Sequence, residues 1–248
     1  MIASPWDRRI ERAEELARSH APAAEVLRFY AEIARLQKGV YEQLKSERVQ
    51  RPDASALLPH FPALLLLVKR AGPAPLARAA RELALDQAKW PDLLADQEIG
   101  VEEAFFSRAL LQPLFEFRAS QSNTAVGVVQ SVCPFCGEQP QVAVLRGEGD
   151  GGKRSLICSL CSTEWEFRRL LCPHCGEEAE RQLPVYTTEQ FPYVRIEACD
   201  TCRTYIKSVD LTKNGLAVPM VEELATLTLS LWAEEHEYAK LQLNLLGM

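Results

Sequence analysis

Apolar residues recur at helical spacing from the start of the chain. Ile10, Ala13, Leu16 and Ala17 share one face, and after Pro22 so do Val26, Tyr30, Ile33, Leu36, Val40 and Leu44. Arg51-Pro-Asp-Ala-Ser interrupts the second pattern and supplies a cap for the next helix. Short helices are expected over 61–70, 75–88 and 91–97, with Pro62, Pro75 and Pro91 in their first turns, where a missing N–H costs nothing. The run from Phe61 to Val68 is the greasiest stretch and is far shorter than a bilayer requires, so it reads as a buried helix. A last helix is expected over 100–119. It carries Phe105, Phe106, Phe115 and Phe117, for which core packing is favoured over a binding groove, and Pro113 is expected to kink or end it. Residues 1–124 therefore predict an all-α bundle of about five to seven helices.

The pattern changes near Val126. Short alternating or β-branched pieces over 126–132, 141–145, 155–157, 164–168, 193–198 and 205–209 predict strands. After Asn214-Gly215 helical spacing returns through Val221, Leu224, Leu227, Leu231, Tyr238 and Leu241. This predicts one final helix from Pro219 to about position 244, with the strand region as the nearest surface for its apolar stripe.

All eight cysteines fall in this strand region, as four Cys-x-x-Cys pairs: Cys133 and Cys136, Cys158 and Cys161, Cys172 and Cys175, Cys199 and Cys202. Two thiols at this spacing grip one side of a tetrahedral ion, and two pairs complete a site. Cys-Pro-x-Cys-Gly-Glu occurs at 133 and again at 172, while the second and fourth pairs resemble each other as Cys-x-x-Cys-x-Thr. This A-B-A-B order reads as a tandem duplication. It groups Cys133, Cys136, Cys158 and Cys161 around one ion and Cys172, Cys175, Cys199 and Cys202 around another. Loops 137–157 and 176–198 are long enough for a strand out and back, whereas 162–171 is short. A cross-braced grouping of A with A is the weaker alternative. Gly137 and Gly176 follow the A pairs, where a tight turn at positive φ aims backbone N–H groups at sulfur. His174 lies inside the third pair, and the flanking cysteines already supply that bite.

Formal charge is −6, and two ions each held by four thiolates would take it to about −10. Residues 131–210 are also more acidic than basic, which disfavours a nucleic-acid partner. The first residues turn charged at once and form no secretory h-region, and no apolar run is long enough to insert in a membrane, so a cytoplasmic location is expected. In a reducing compartment such cysteine pairs bind metal or do redox work more often than they form disulfides. The glycine-rich run 147–152 followed by Lys153 lacks the hydroxyl residue of a phosphate-binding loop and reads as a hairpin tip. No sequence pattern nominates a catalytic triad or an open hydrolytic metal site.

Cys133-Pro-Phe-Cys-Gly, Cys158-Ser-Leu-Cys-Ser-Thr-Glu-Trp165, Cys172-Pro-His-Cys, and Cys199-Asp-Thr-Cys-Arg-Thr-Tyr-Ile-Lys207 together resemble the formate dehydrogenase accessory protein FdhE family. Val221-Glu-Glu-Leu-Ala-Thr-Leu and the stretch before Tyr238 add to the resemblance, with Ser230 and Glu237 standing where the family pattern has Asp and Gly. The resemblance implies an N-terminal all-α part followed by two rubredoxin-like four-cysteine modules; with the spacing this gives an α+β fold with an all-α domain (1–124), modules at 125–170 and 171–215, and a C-terminal helix (216–248). It also implies a maturation factor with no enzymatic activity, whose partner is the catalytic subunit of formate dehydrogenase. Zinc and iron both suit an all-sulfur site. A rubredoxin-type redox role and a zinc-ribbon nucleic-acid binder are the rival readings, and the oligomeric state stays open.

Overall fold

The computed structural model describes residues 4–46, 52–95, 100–122, 130–148 and 151–248. Helix α1 (Pro5–Ser19) opens on a reciprocal cap: Ser4 Oγ accepts from the Asp7 N–H at 3.1 Å while the Asp7 carboxylate accepts from the Ser4 N–H. A single turn at 21–23 leads into α2 (Ala24–Ser46). Helices α3 (Phe61–Ala71), α4 (Ala74–Leu85), α5 (Trp90–Leu93) and α6 (Val101–Ser120) complete the all-α part. Its core joins Phe29, Ile33, Val40 and Leu44 of α2 to Phe61, Leu64, Leu65 and Val68 of α3 and to Phe105, Phe106, Leu110 and Phe117 of α6. Three of the four phenylalanines of α6 thus serve this core, while Phe115 packs toward the cysteines. The greasy run 61–68 is buried along one side only, since Leu66 is exposed.

Helix α6 runs on through Pro113. A proline there has no N–H for the carbonyl of Ala109, one turn earlier. That carbonyl instead accepts from the buried Gln37 side-chain amide of α2 at 2.9 Å. Gln37 also donates to Gln112 Oε1 at 2.8 Å, and Gln112 donates to the carbonyl of Ser159 at 2.9 Å. The proline defect is thereby filled by a buried polar chain that ends at the second cysteine pair.

The strands are β1 (Pro140–Glu148), β2 (Gly151–Cys158), β3 (Glu164–Glu166), β4 (Val185–Thr187), β5 (Val194–Cys199), β6 (Thr204–Asp210) and β7 (Ala239–Lys240). They form one sheet in the order β3-β2-β1-β6-β5-β4, with β7 added beside β6. Neighbours are antiparallel except at β1–β6 and β6–β7. The parallel β1–β6 pairing, Val142 opposite Lys207 through Leu145 opposite Asp210, makes one sheet of the two cysteine modules. Arg154 of β2 adds an ion pair to Glu197 of β5 at 2.7 Å. The glycine-rich run is the β1–β2 hairpin, and a strand comes directly after it; positions 149–150 lie outside the described residues. Of the strand expected over 126–132, residues 126–129 lie outside the described residues and 130–132 are irregular. Strands β4 and β7 are too short to carry a period of two, and the sequence pattern does not predict them.

The C-terminal helix differs from the single run to 244 that its spacing suggests. It is two helices, α7 (Pro219–Ala225) and α8 (Leu227–Glu235), divided at Thr226 and followed by β7. The carbonyls freed at the break have a dedicated donor: Lys207 Nζ, wholly buried on β6, reaches Glu223 O at 2.8 Å and Thr226 O at 2.9 Å. After α8 the backbone turns at Glu237, a left-handed residue (φ 62).

Helix α7 is the wedge of the molecule. Val221, Leu224 and Ala225 pack against Ala13, Leu16, Leu27 and Tyr30 of the helical part, while Met220 packs against Val142, Val144 and Val209 of the sheet. Its two buried glutamates are fully engaged. Glu222 accepts from Arg12 of α1 at 2.6 Å and from Tyr193 at 3.1 Å. Glu223 meets Lys207 at 3.3 Å, Gln141 at 3.3 Å and Asn244 at 2.9 Å, and also pairs with Lys240. Burial opposes the Glu223 charge, but Lys240 and Lys207 outweigh it and hold the carboxyl down at about 2. Such pairs matter through what breaking them leaves behind.

Two substitutions test these joints. Lys207→Met strands two carbonyls and half of the Glu223 pairing, and is expected to cost about 3–5 kcal/mol in urea denaturation; a cost under about 1 kcal/mol would remove Lys207 from its fastening role. Gln37→Leu is expected to cost about 1–3 kcal/mol, and adding Pro113→Ala should recover part of it by restoring an N–H to Ala109 O. Equal losses in both backgrounds would show that the carbonyl is not what Gln37 serves.

Candidate metal centres

Each cysteine pair sits in a turn of the same build. In the A turns the Gly137 N–H donates to Cys133 O at 2.9 Å and the Gly176 N–H to Cys172 O at 3.1 Å, and both glycines are left-handed (φ 80 and φ 76). A Cβ at either would meet nothing within 4 Å, so the demand for glycine is conformational and not steric. The returning chain closes each turn, with the Cys133 N–H on Glu138 O at 2.8 Å and the Cys172 N–H on Glu177 O at 2.9 Å.

The B turns repeat this with other residues. Ser162 (φ 55) and Arg203 (φ 56) take the left-handed place that glycine holds in the A turns. The Arg203 N–H donates to Cys199 O at 2.8 Å. One residue further on, the Cys161 thiol donates to Thr163 Oγ1 at 3.1 Å, and Thr204 Oγ1 lies 3.0 Å from Cys202 Sγ, so that each threonine hydroxyl touches the last sulfur of its pair. The Cys-x-x-Cys-x-Thr repeat is thus a sulfur-supporting device whose threonine the spacing alone does not mark as functional. Backbone N–H groups of Leu160 and Cys161 approach Cys158 Sγ at 3.4 and 3.5 Å, and that of His174 approaches Cys172 Sγ at 3.4 Å.

The structure gathers Cys133, Cys136, Cys158 and Cys161 into one cluster and Cys172, Cys175, Cys199 and Cys202 into another, each with its four sulfurs within 4.8 Å of one another. This is the within-unit grouping, not the cross-braced one. Sulfur–sulfur distances are 3.4–3.5 Å for the three closest contacts of the first cluster and 3.7 Å for two of the second. A disulfide would need about 2.05 Å, and all eight cysteines are free. Four sulfurs at about 2.3 Å from a tetrahedral ion stand about 3.8 Å apart, which the 3.7 Å contacts of the second cluster match and the 3.4–3.5 Å contacts of the first approach from below; either group could hold zinc or iron.

Their electrostatics point the same way. Hydrogen bonding with Cys133, Cys136 and Cys161, with burial added, pushes the Cys158 thiol far above its ordinary value. Four thiolates cannot share that space without a cation between them. At Cys202 burial acts upward too, but hydrogen bonds from Thr204 and His174 outweigh it and bring the thiol to about 6. His174 itself is exposed, and its role here is that of a hydrogen-bond neighbour to sulfur.

The two clusters sit in different surroundings. Cys133, Cys158 and Cys161 belong to a buried core with Leu160, Trp165, Phe167 and Ile206, capped by Leu111, Phe115 and Ala119 of α6. Trp165 of the Thr-Glu-Trp motif is anchored there by its indole N–H to Gln130 O at 2.8 Å. Helix α6 also donates from Arg108 to Ser159 Oγ at 3.0 Å, and Glu116 accepts from Ser162 Oγ at 2.7 Å. The second cluster lies at the far end of β5 and β6, with Cys175 exposed and Cys202 half-buried. A cleft of about 180 Å³ adjoins it, lined by Cys172, Cys199, Leu170, Val185, Arg169 and Arg195 among others. No helix among the described residues is long and apolar enough to cross a membrane.

Comparison with known proteins agrees with this arrangement. Residues 132–169 match the family model described as FdhE, central domain, and residues 170–246 match FdhE, C-terminal domain. A protein named Protein FdhE homolog from Aquifex aeolicus is 32% identical over 79% of this chain and 71% of its own length. Protein FdhE of Salmonella arizonae is 28% identical over 98% of this chain and 88% of its own. The crystal structure of the FdhE protein from Pseudomonas aeruginosa superposes with a TM-score of 0.73 at 25% identity, covering 99% of this chain and 97% of that one. The chain is therefore a member of the FdhE family.

Proposed function

We propose that this chain is a cytoplasmic accessory protein that binds the catalytic subunit of formate dehydrogenase and assists its assembly into active enzyme, without itself catalysing a reaction. Two metal ions, zinc or iron, are held by Cys133, Cys136, Cys158 and Cys161 and by Cys172, Cys175, Cys199 and Cys202. Membership of the FdhE family supports the client. The observation that carries the reading of the site is the pair of clusters with tetrahedral sulfur spacing. Four protein ligands leave a bound ion with no open position for substrate, the form of a structural site and not of a hydrolytic one. The acidic balance of the chain supports a protein partner over nucleic acid.

A rubredoxin-type iron centre is the second reading, favoured by the N–H and hydroxyl groups aimed at the sulfurs, which stabilise negative charge on a sulfur-bound ion. A visible spectrum of anaerobically purified protein separates the two. Colour from iron supports the redox role, and a colourless protein carrying zinc removes it.

The tagged chain is expected to recover the formate dehydrogenase catalytic subunit from anaerobic extracts, and a Cys133→Ser/Cys136→Ser variant to lose most of that recovery. Absence of the subunit from the wild-type eluate would contradict the client assignment. Stripping metal with a strong chelator is expected to unfold the sheet, visible as loss of strand signal in circular dichroism, because each ion contributes on the order of 10–16 kcal/mol. A sheet that survives complete stripping would mean that the ions do not fasten it.

A further inference from the structure

The two clusters are near-copies in sequence and turn geometry, yet the fold treats them unequally. In the first, three cysteines are buried within an apolar core, and Cys136 is half-buried. Helix α6 clamps its B turn from outside the module, through Arg108 and Gln112 to Ser159 and through Glu116 to Ser162. Releasing a sulfur there requires the helical domain to shift as well.

The second cluster is held differently. Its B turn is tied to the C-terminal segment, through Arg203 to His236 O and through Tyr238 to Asp200, and Cys172 and Cys199 are buried, but none of its cysteines groups with an apolar cluster among the described residues and its A turn has no such clamp. Its outer A turn, 172–177, meets the rest of the chain through polar contacts such as Thr201 Oγ1 to Glu177 at 2.7 Å, on an exposed surface. Cys175 is exposed to solvent, whereas Cys172 and Cys199 are buried behind the walls of the cleft. An incoming ligand therefore reaches this cluster first at Cys175. Local opening of a short polar turn is also cheaper than opening a turn built into a core.

We propose that the two centres have separate jobs: the first is a permanent fastener of sheet to helices, and the second is the exchangeable centre, at which Cys175 is the sulfur first surrendered to a competing soft ligand and first modified by an electrophile. This rests on both clusters holding metal. It adds that a single site, the one beside the cleft, communicates with outside chemistry, such as the thiols of another protein.

The test uses the full chain loaded with zinc to two equivalents and then mixed with the chromogenic chelator 4-(2-pyridylazo)resorcinol. Release is expected in two phases of one equivalent each, the first at least about tenfold faster, in line with the effect of outer hydrogen-bond partners on metal retention. Brief treatment with iodoacetamide, followed by peptide mass spectrometry, is expected to place the first adduct on Cys175. Cys175→Ser should abolish the fast phase and keep the slow one. Release of both equivalents at one rate would overturn the proposal, and so would a first adduct in the 133–161 cluster. Failure of the chain to bind zinc at all would overturn the metal reading beneath it, an outcome distinct from uniform release. The alkylation pattern of the wild-type chain decides the matter even where the serine variant does not fold.

Discussion

Mutual repulsion among clustered thiolates is the constraint on which the sheet half of the molecule depends. Sulfurs packed 3.4–3.7 Å apart need a cation between them, and a cation held this way fixes two turns at once. An ion in either cluster would link the start of a hairpin module to its end. The polar groups around the sulfurs serve this bond. Left-handed residues at 137, 162, 176 and 203 turn the chain, and the Thr163 and Thr204 hydroxyls touch the last sulfur of each B pair.

The rest of the fold binds these fixed turns to the helices, and it does so through buried charge and amide groups more than through one continuous apolar core. Helix α7 faces the helical bundle on one side and the sheet on the other, with Glu222 committed to Arg12 and Glu223 to Lys207 and Lys240. Gln37 and Gln112 carry a second polar thread from α2 through the proline gap in α6 to Ser159. The Gln37–Gln112 thread ties the first cysteine module to the helices, the Glu222 and Glu223 contacts with Tyr193 and Lys207 tie the second, and the β1–β6 pairing joins the two modules.

Much of this is legible in the chain, because local spacing governs it. Helical periods place α1 to α4 and α6, and the A-B-A-B order of the cysteine pairs anticipates which four sulfurs meet. Contacts across long sequence separations are not legible. Nothing local marks Val142 as the partner of Lys207, nor Gln37 as the donor that lets α6 pass through Pro113. The spacing of Leu224, Leu227 and Leu231 suggests an unbroken helix, but Thr226 interrupts it where a lysine from β6 takes over the carbonyls. The same Lys207 ends the motif Cys-x-x-Cys-x-Thr-Tyr-x-Lys, so a residue that carries the family resemblance proves to hold the C-terminal helices to the sheet. Ser162 and Arg203 give no local signal, because glycine is the usual mark of a left-handed turn and neither is glycine.

X-ray absorption at the metal edge of anaerobically purified protein addresses the central claim most directly. Two ions per chain are expected, each with a single shell of four sulfurs at about 2.3 Å. A shell containing oxygen or nitrogen, fewer than four sulfurs, or sulfur bonded to sulfur at about 2.05 Å would contradict it.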